Sequence, residues 1–210
     1  MRNTLKPTDG MRPKTSLILG IDLAGSEKRN TGICTMDGKM NCFCKTVKTD
    51  SEIFEIIEKV KPVVIAVDAP LGLPKGRKSI DKKSNIHFRK CDLELRKLGI
   101  KFFPITLGPM RMLTKRGMKL SKKLKRMGYE VIEVYPGATQ DILKIPRKQK
   151  GLNKLKNGLK KLGIKFNKIN LNGDELDAAT AAYTGLMYVK KKYKAIGDPK
   201  EGLIILPKLR

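Results

Sequence analysis

Hydrophobic positions along the chain fall into two patterns, unbroken β-branched runs and stripes at helical spacing, and their alternation predicts an α/β protein. Residues 63–67 (VVIAV) are apolar without a polar break, as in a parallel strand covered on both faces, and the run stops at Asp68. Ala69-Pro70-Leu71-Gly72 then turns the chain, since proline fixes φ and glycine tolerates positive φ. Residues 17–21 (LILGI) have the same design and stop at Asp22. Both predicted buried strands therefore end in an aspartate. Residues 31–36 and 39–47 predict two more strands joined at Asp37-Gly38, a strong hairpin signal, so the first three strands form an antiparallel meander.

Ile53, Phe54, Ile56, Ile57 and Val60 form a stripe that predicts a helix over 51–60, with Asp50 or Ser51 as N-cap. Phe88, Cys91, Leu95 and Leu98 predict a helix over 85–98, and Leu120, Leu124 and Met127 one from Thr114 to Gly128. Residues 129–135 (YEVIEVY) alternate as a strand, ended by Pro136. Residues 144–168 are thick with lysine around Leu152, Leu155, Leu159 and Leu162, which places a basic helical insertion at about 137–172. Asp174 opens the last long helix as its natural N-cap, with Asp177 at the third helical position, and residues 202–206 read as a final strand. The near-repeat of 95–102 (LRKLGIKF) at 159–166 (LKKLGIKF) reflects helix-stop chemistry, glycine in the left-handed position followed by an isoleucine that packs back.

Charge changes the picture. The chain carries 46 Lys+Arg against 20 Asp+Glu, a formal net charge of +26, which implies a polyanionic partner, nucleic acid before anionic lipid. The candidates for phosphate contact are Arg77, Lys78, Arg89, Lys115, Arg116, Arg147, Lys148 and Lys150. No apolar run approaches the ~20 residues of a membrane span, and Met1 to Ser16 lacks the apolar segment of a signal peptide, so the expectation is a cytoplasmic protein without membrane contact. The four cysteines form no C-x-x-C pair and His87 is the one histidine, which argues against zinc and against a disulfide framework. A single domain over 16–210 is expected after a loose segment, 1–15, and no residue pattern specifies an oligomeric interface.

In open α/β sheets ligands bind outside the carboxyl ends of parallel strands. If the strands ending at Asp22 and Asp68 are neighbours, about 4.8 Å apart, the two carboxylates face one volume and need a proton or a cation between them. A divalent metal facing a polyanion satisfies both demands. Bland alternatives stand beside this reading: aspartates often cap loops, Asp174 and Asp177 form a capping-box pattern, Arg89 and Asp92 suit a helix ion pair, and Glu133 could pair with a lysine. Residues 72–79 (GLPKGRKS) miss the phosphate-loop spacing.

Gly20-Ile21-Asp22-Leu23-Ala24, Val67-Asp68-Ala69-Pro70-Leu71-Gly72, Arg89-Lys90-Cys91-Asp92 with Arg96, Glu133-Val134-Tyr135-Pro136 and Asp174-Glu175-Leu176-Asp177-Ala178 resemble, in that order, the motifs of domain-of-unknown-function family 429, a set of predicted ribonuclease H-like nucleases. The resemblance covers nearly the whole chain from about residue 17. It implies a ribonuclease H-like mixed sheet, a three-stranded antiparallel meander plus parallel strands, flanked by helices and carrying a basic helical elaboration. It also implies a two-metal phosphodiesterase site in which Asp22, Asp68, Glu133 and Asp177 are catalytic. Asp22, Asp68, Asp174 and Asp177 would then hold Mg²⁺ or Mn²⁺ ions about 3.5–4 Å apart, and Arg89 and Asp92 would orient substrate or ligands. The competing classes are a nucleic-acid binder without catalysis, with Phe102, Phe103, Tyr129 and Tyr135 as stacking groups, and an ATP-binding protein of the same core.

Overall fold

The parity of two neighbouring strands decides which side of the sheet the chemistry occupies. In the computed structural model, which describes residues 16–208, β1 (Ile18–Asp22) and β4 (Val64–Asp68) run parallel and in register, Ile18 opposite Val64 and Asp22 opposite Asp68. The segment expected to be loose, 1–15, lies outside the described residues. β2 (Thr31–Met36) pairs antiparallel with β1, and β3 (Asn41–Val47) pairs antiparallel with β2, the expected hairpin, although β3 begins at Asn41 rather than Lys39 and Met40, not Gly38, takes the positive φ of 62°. The Asp37 carboxylate fixes that turn by accepting from the backbone N–H of Lys39 at 2.8 Å and of Asn41 at 2.9 Å. β5 (Val131–Val134) lies parallel to β4, and β8 (Gly202–Pro207) parallel to β5. The edges are β6 (Lys165–Phe166) and β7 (Tyr193–Asp198), giving the order β6-β3-β2-β1-β4-β5-β8-β7.

Side chains alternate across this sheet. Leu19, Ile21, Ile65 and Val67 pack with Ile53 and Ile57 of α1 (Asp50–Val60) and with Leu120 and Leu124 of α3 (Gly108–Arg126). Ile18, Val64 and Ala66 point the other way, against Leu176, Ala178 and Ala182 of α6 (Gly173–Val189). Counting on in twos, Asp22 and Asp68 fall on the α6 side. α6 lies unusually close to the strands because two glycines admit it. A Cβ on Gly20 would stand 2.1 Å from the Ala178 carbonyl oxygen, and one on Gly32 would stand 2.0 Å from that of Asp174. Any larger side chain there would lift the helix off the sheet.

The remaining helices are α2 (Lys90–Lys97), α4 (Pro136–Ile142) and α5 (Leu152–Lys161). α2 is shorter than the expected 85–98. α3 begins at Gly108 rather than Thr114, with Pro109 in its first turn. Pro136 both ends a strand and opens α4, a helix the periodicity did not predict. Thr49, not Asp50 or Ser51, caps α1: its hydroxyl accepts from Glu52 N at 3.2 Å and the Glu52 carboxylate accepts from Thr49 N at 2.8 Å. The segment expected to be a basic insertion, about 137–172, contains most of α4, a 3-10 turn at Lys148–Lys150, α5 and β6. Gly99 and Gly163 take left-handed φ of 72° and 98°, and Ile100 N donates back to Leu95 O at 3.0 Å, the helix-stop geometry expected of both segments. All four cysteines are buried free thiols, and among the described residues no helix is long and apolar enough to cross a membrane.

Candidate active site

Four aspartates from three elements gather at one end of the β1–β4 pair. Asp22 and Asp68 end their strands side by side, and α6 presents Asp174 and Asp177 one turn apart. Capping does not explain the α6 pair. Asn172 is the N-cap, its side-chain oxygen accepting from Glu175 N at 2.9 Å while the Glu175 carboxylate accepts from Asn172 N at 3.0 Å. The cap therefore lies two residues before Asp174, and the carboxylates of Asp174 and Asp177 are left for other work. Lys148, from the 3-10 turn, places its ammonium 2.7 Å from Asp177 Oδ2, 3.7 Å from Asp22 Oδ2 and 3.8 Å from Asp174 Oδ1. Gln140 of α4 holds the other Asp177 oxygen, its amide nitrogen donating to Oδ1 at 2.8 Å and to the Thr180 hydroxyl at 3.3 Å.

One ammonium does not balance this much negative charge. Burial, reinforced by Asp177 and Asp174 and opposed by Lys148, pushes the Asp22 carboxyl up to about 8. Burial, then Asp22 and Asp177, lift Asp68 well above the usual carboxylate range as well. Burial works against the Lys148 charge, yet Asp177 and Asp22 outweigh it and raise that group above its ordinary value. A cluster in this state holds protons or takes up further cations. Its donors are hard carboxylate oxygens, which suit Mg²⁺ or Mn²⁺ in chemistry. Among the described residues no three His, Cys, Asp or Glu side chains stand ready to hold a metal ion, and the Lys148 ammonium occupies the point on which Asp22, Asp174 and Asp177 converge.

The other expected site residues are placed differently. Glu133, at the C-terminal half of β5, is 5% exposed, and its oxygens accept from Arg89 Nη1 and Nη2 at 2.7 Å each. Asp92 takes the other side of the same guanidinium at 2.9 and 3.2 Å. Arg89 is thus 1% exposed inside a buried ion triad, not on a phosphate-binding surface, and Glu133 is engaged in that triad while its charge still adds to the raising of Asp68. Burial works against the Arg89 charge, but Glu133 and Asp92 outweigh it and raise its pKa. Glu133 also accepts from Leu71 N at 2.8 Å, which braces the turn that follows Asp68.

Three more arginines expected at phosphate have partners within the fold. Arg77 donates to the carbonyls of Ser79, Ile80, Lys82 and Ile86 and gathers its own loop. Arg116, 8% exposed, ties α3 to the Asp50 carboxylate and to the carbonyls of Ala24 and Lys48. Arg147 pairs with Asp141 at 2.5 Å and reaches the Tyr135 hydroxyl at 3.3 Å. Lys115 is exposed and paired with Asp81 at 2.8 Å, whereas Lys78 and Lys150 are exposed. A groove of about 530 Å³ beside Asp22 is lined by Lys28, Arg29, Lys48 and Lys148 together with Pro109 and Met110. Lys28, Arg29, Lys48 and Gln140 were not among the expected residues. Lys28 and Arg29 follow Asp22 in the same loop, and that adjacency is the signal that could have found them.

Comparison with solved structures places the fold. Thermus thermophilus RuvC in complex with a Holliday junction substrate superposes with a TM-score of 0.50 at 13% identity, over 89% of this chain and 99% of that one. A second Thermus thermophilus RuvC structure gives 0.44 at 12% identity, over 83% and 96%. The eight-stranded mixed sheet flanked by helices is accordingly a ribonuclease H-like fold. No curated protein matches the chain. The family profile described as protein of unknown function (DUF429) matches residues 20–201, from the glycine that seats α6 to the end of the last turn, and the chain belongs to that family.

Proposed function

We propose that this protein is a divalent-metal-dependent nuclease that hydrolyses phosphodiester bonds of nucleic acid in the cytoplasm. The observation that carries the reading is the convergence of Asp22, Asp174 and Asp177 on one ammonium, with Asp68 beside Asp22, at the head of a groove lined by Lys28, Arg29 and Lys48. A nucleic-acid binder alone gains nothing from acids inside a basic surface, where they repel phosphate unless a cation intervenes. Asp22, Asp68 and Asp177 would hold Mg²⁺ or Mn²⁺, with Asp174 at the rim, and such ions would supply water activation and charge stabilisation at the leaving oxygen. Lys148 offsets part of the aspartates' charge, and Gln140 keeps Asp177 turned toward the cluster. The Arg89–Glu133–Asp92 triad supports the turn after Asp68 without touching the reacting phosphate. Nucleic acid as partner is further supported by the net charge of +26 and by the junction DNA bound to the RuvC relative in fold.

The test is cleavage of labelled single-stranded, duplex, hybrid and branched DNA and RNA with Mg²⁺ or Mn²⁺, comparing the wild type with Asp22→Asn and Asp68→Asn. Metal-dependent cutting by the wild type, reduced at least about a thousandfold in both folded variants while salt-sensitive binding persists, is the expected result. Binding without cutting by any of the three would turn the reading into that of a pure nucleic-acid binder.

A further inference from the structure

We propose that the apolar recess next to Asp68 is a nucleobase pocket that captures one unstacked base of the strand being cut; the proposal rests on the nuclease reading. The recess encloses about 160 Å³, the scale of a single planar ring system, and is lined by Pro70, Phe102, Phe103, Met110, Leu113 and Tyr135, with Asp68 at its edge. A nucleotide whose phosphate reaches Asp68 has its own base, or that of its neighbour, at the mouth of this recess.

Three features select a base over other apolar occupants. Phe103, in the lining, is 67% exposed, an uncovered aromatic ring on a molecule of net charge +26. The Phe102–Phe103 wall also faces a second recess that shares Tyr135 and adds Phe88, Arg96 and Lys101. There the Arg96 guanidinium lies 4.4 Å from the Phe88 ring centroid, and that of Arg147 lies 5.6 Å from Tyr135. Aromatic rings interleaved with guanidinium groups are the surface on which single-stranded bases stack, and the cations complement the phosphates between them. A protein segment of ordinary apolar character would have no use for those cations. Finally, the polar floor of the recess is closed: Arg89, Glu133 and Asp92 are spent on one another, and no buried side-chain nitrogen or oxygen among the described residues lacks a partner. None of those three side chains remains to read a base edge. The pocket therefore accepts the face of any base and favours substrates with an unpaired nucleotide near the scissile bond.

The experiment measures binding in EDTA, where cutting is absent, to a duplex with a single-stranded flap carrying 2-aminopurine at successive unpaired positions. Quenching of one position by the wild type, its loss in Phe103→Ala and its return in Phe103→Tyr are expected. Affinity for the flap should fall about tenfold in Phe103→Ala, or when that nucleotide is abasic, with affinity for blunt duplex unchanged. Exchanging the four bases at that position should alter affinity by less than about threefold. Equal, salt-sensitive binding of intact and abasic flaps by both proteins would overturn the pocket and leave the nuclease reading standing. Absence of all nucleic-acid binding would overturn both.

Discussion

The molecule buries two clusters of opposite charges within one end of the same sheet, and they solve the problem differently. In the Arg89 cluster a guanidinium lies between Glu133 and Asp92, with four side-chain hydrogen bonds and almost no exposure. In the aspartate cluster three carboxylates share one lysine with Asp68 beside them, Asp22 is pushed up to about 8 and Asp68 well above its ordinary range, and a groove opens alongside. The first is matched and closed, the second unmatched and accessible. Buried charge of itself therefore points to no activity; charge left uncompensated where solvent and ligand can enter does.

The difference predicts opposite outcomes when each cluster is cut. Arg89→Ala strips the guanidinium from two buried carboxylates and should cost about 3–5 kcal/mol, read as a lowered midpoint in urea unfolding. A change under about 1 kcal/mol would mean that the triad is not the brace it resembles.

Asp22→Asn should do the reverse. The folded Asp22 keeps its proton up to about 8, whereas the unfolded chain releases it near 3.8, so over that interval the native state binds more protons. Stability then falls as pH rises from about 4 to 8. Asp177, Asp174 and Lys148 face the group and contribute to that behaviour. The asparagine variant, free of this titration, should melt on the order of 3 °C higher at pH 8 and match the wild type near pH 4. Equal melting temperatures across the range would show that the cluster is already balanced.

The smallest effect belongs to the ammonium. Lys148→Met should tighten Mn²⁺ binding about fivefold in calorimetry, because the metal no longer competes with a fixed cation for the same oxygens. Unchanged affinity would separate the lysine from the metal position.

Half of the site was legible because it is written in strand periodicity. Two apolar runs ending in aspartate, given the parallel neighbours of an α/β sheet, put Asp22 beside Asp68 with no knowledge of packing. The α6 cap was misplaced because Asp174 is the acid nearest the apolar stripe, although Asn172 with Glu175 three residues on is the better capping-box pattern. Lys148 sits in a run of lysines that look alike, and only long-range packing separates it from its neighbours. The four arginines turned out to have partners inside the protein. Net charge counts Arg77, Arg89, Arg116 and Arg147 as surface, yet a guanidinium with five donors is also the side chain best able to gather carbonyls and carboxylates inside a fold. Glu133 carried a usable hint: it lies in a short strand that is buried at every position, so its carboxylate required a partner such as Arg89. β7 carried little hydrophobic signal, since it is an edge strand with mostly exposed or half-buried residues.

The close seating of α6 has a consequence for how this site can drift over time. Where Gly20 and Gly32 meet the helix, main chain rests on main chain, with no rotatable side chain as a spacer. The separation between Asp22 and Asp177 is thereby inherited from backbone geometry, while the Ile and Leu residues of the opposite layer can be exchanged for one another at small cost. The far side of the sheet can wander in sequence like any hydrophobic core; the near side has the fixed tolerance of a machined bearing, in which the parts that must not change are the smallest ones.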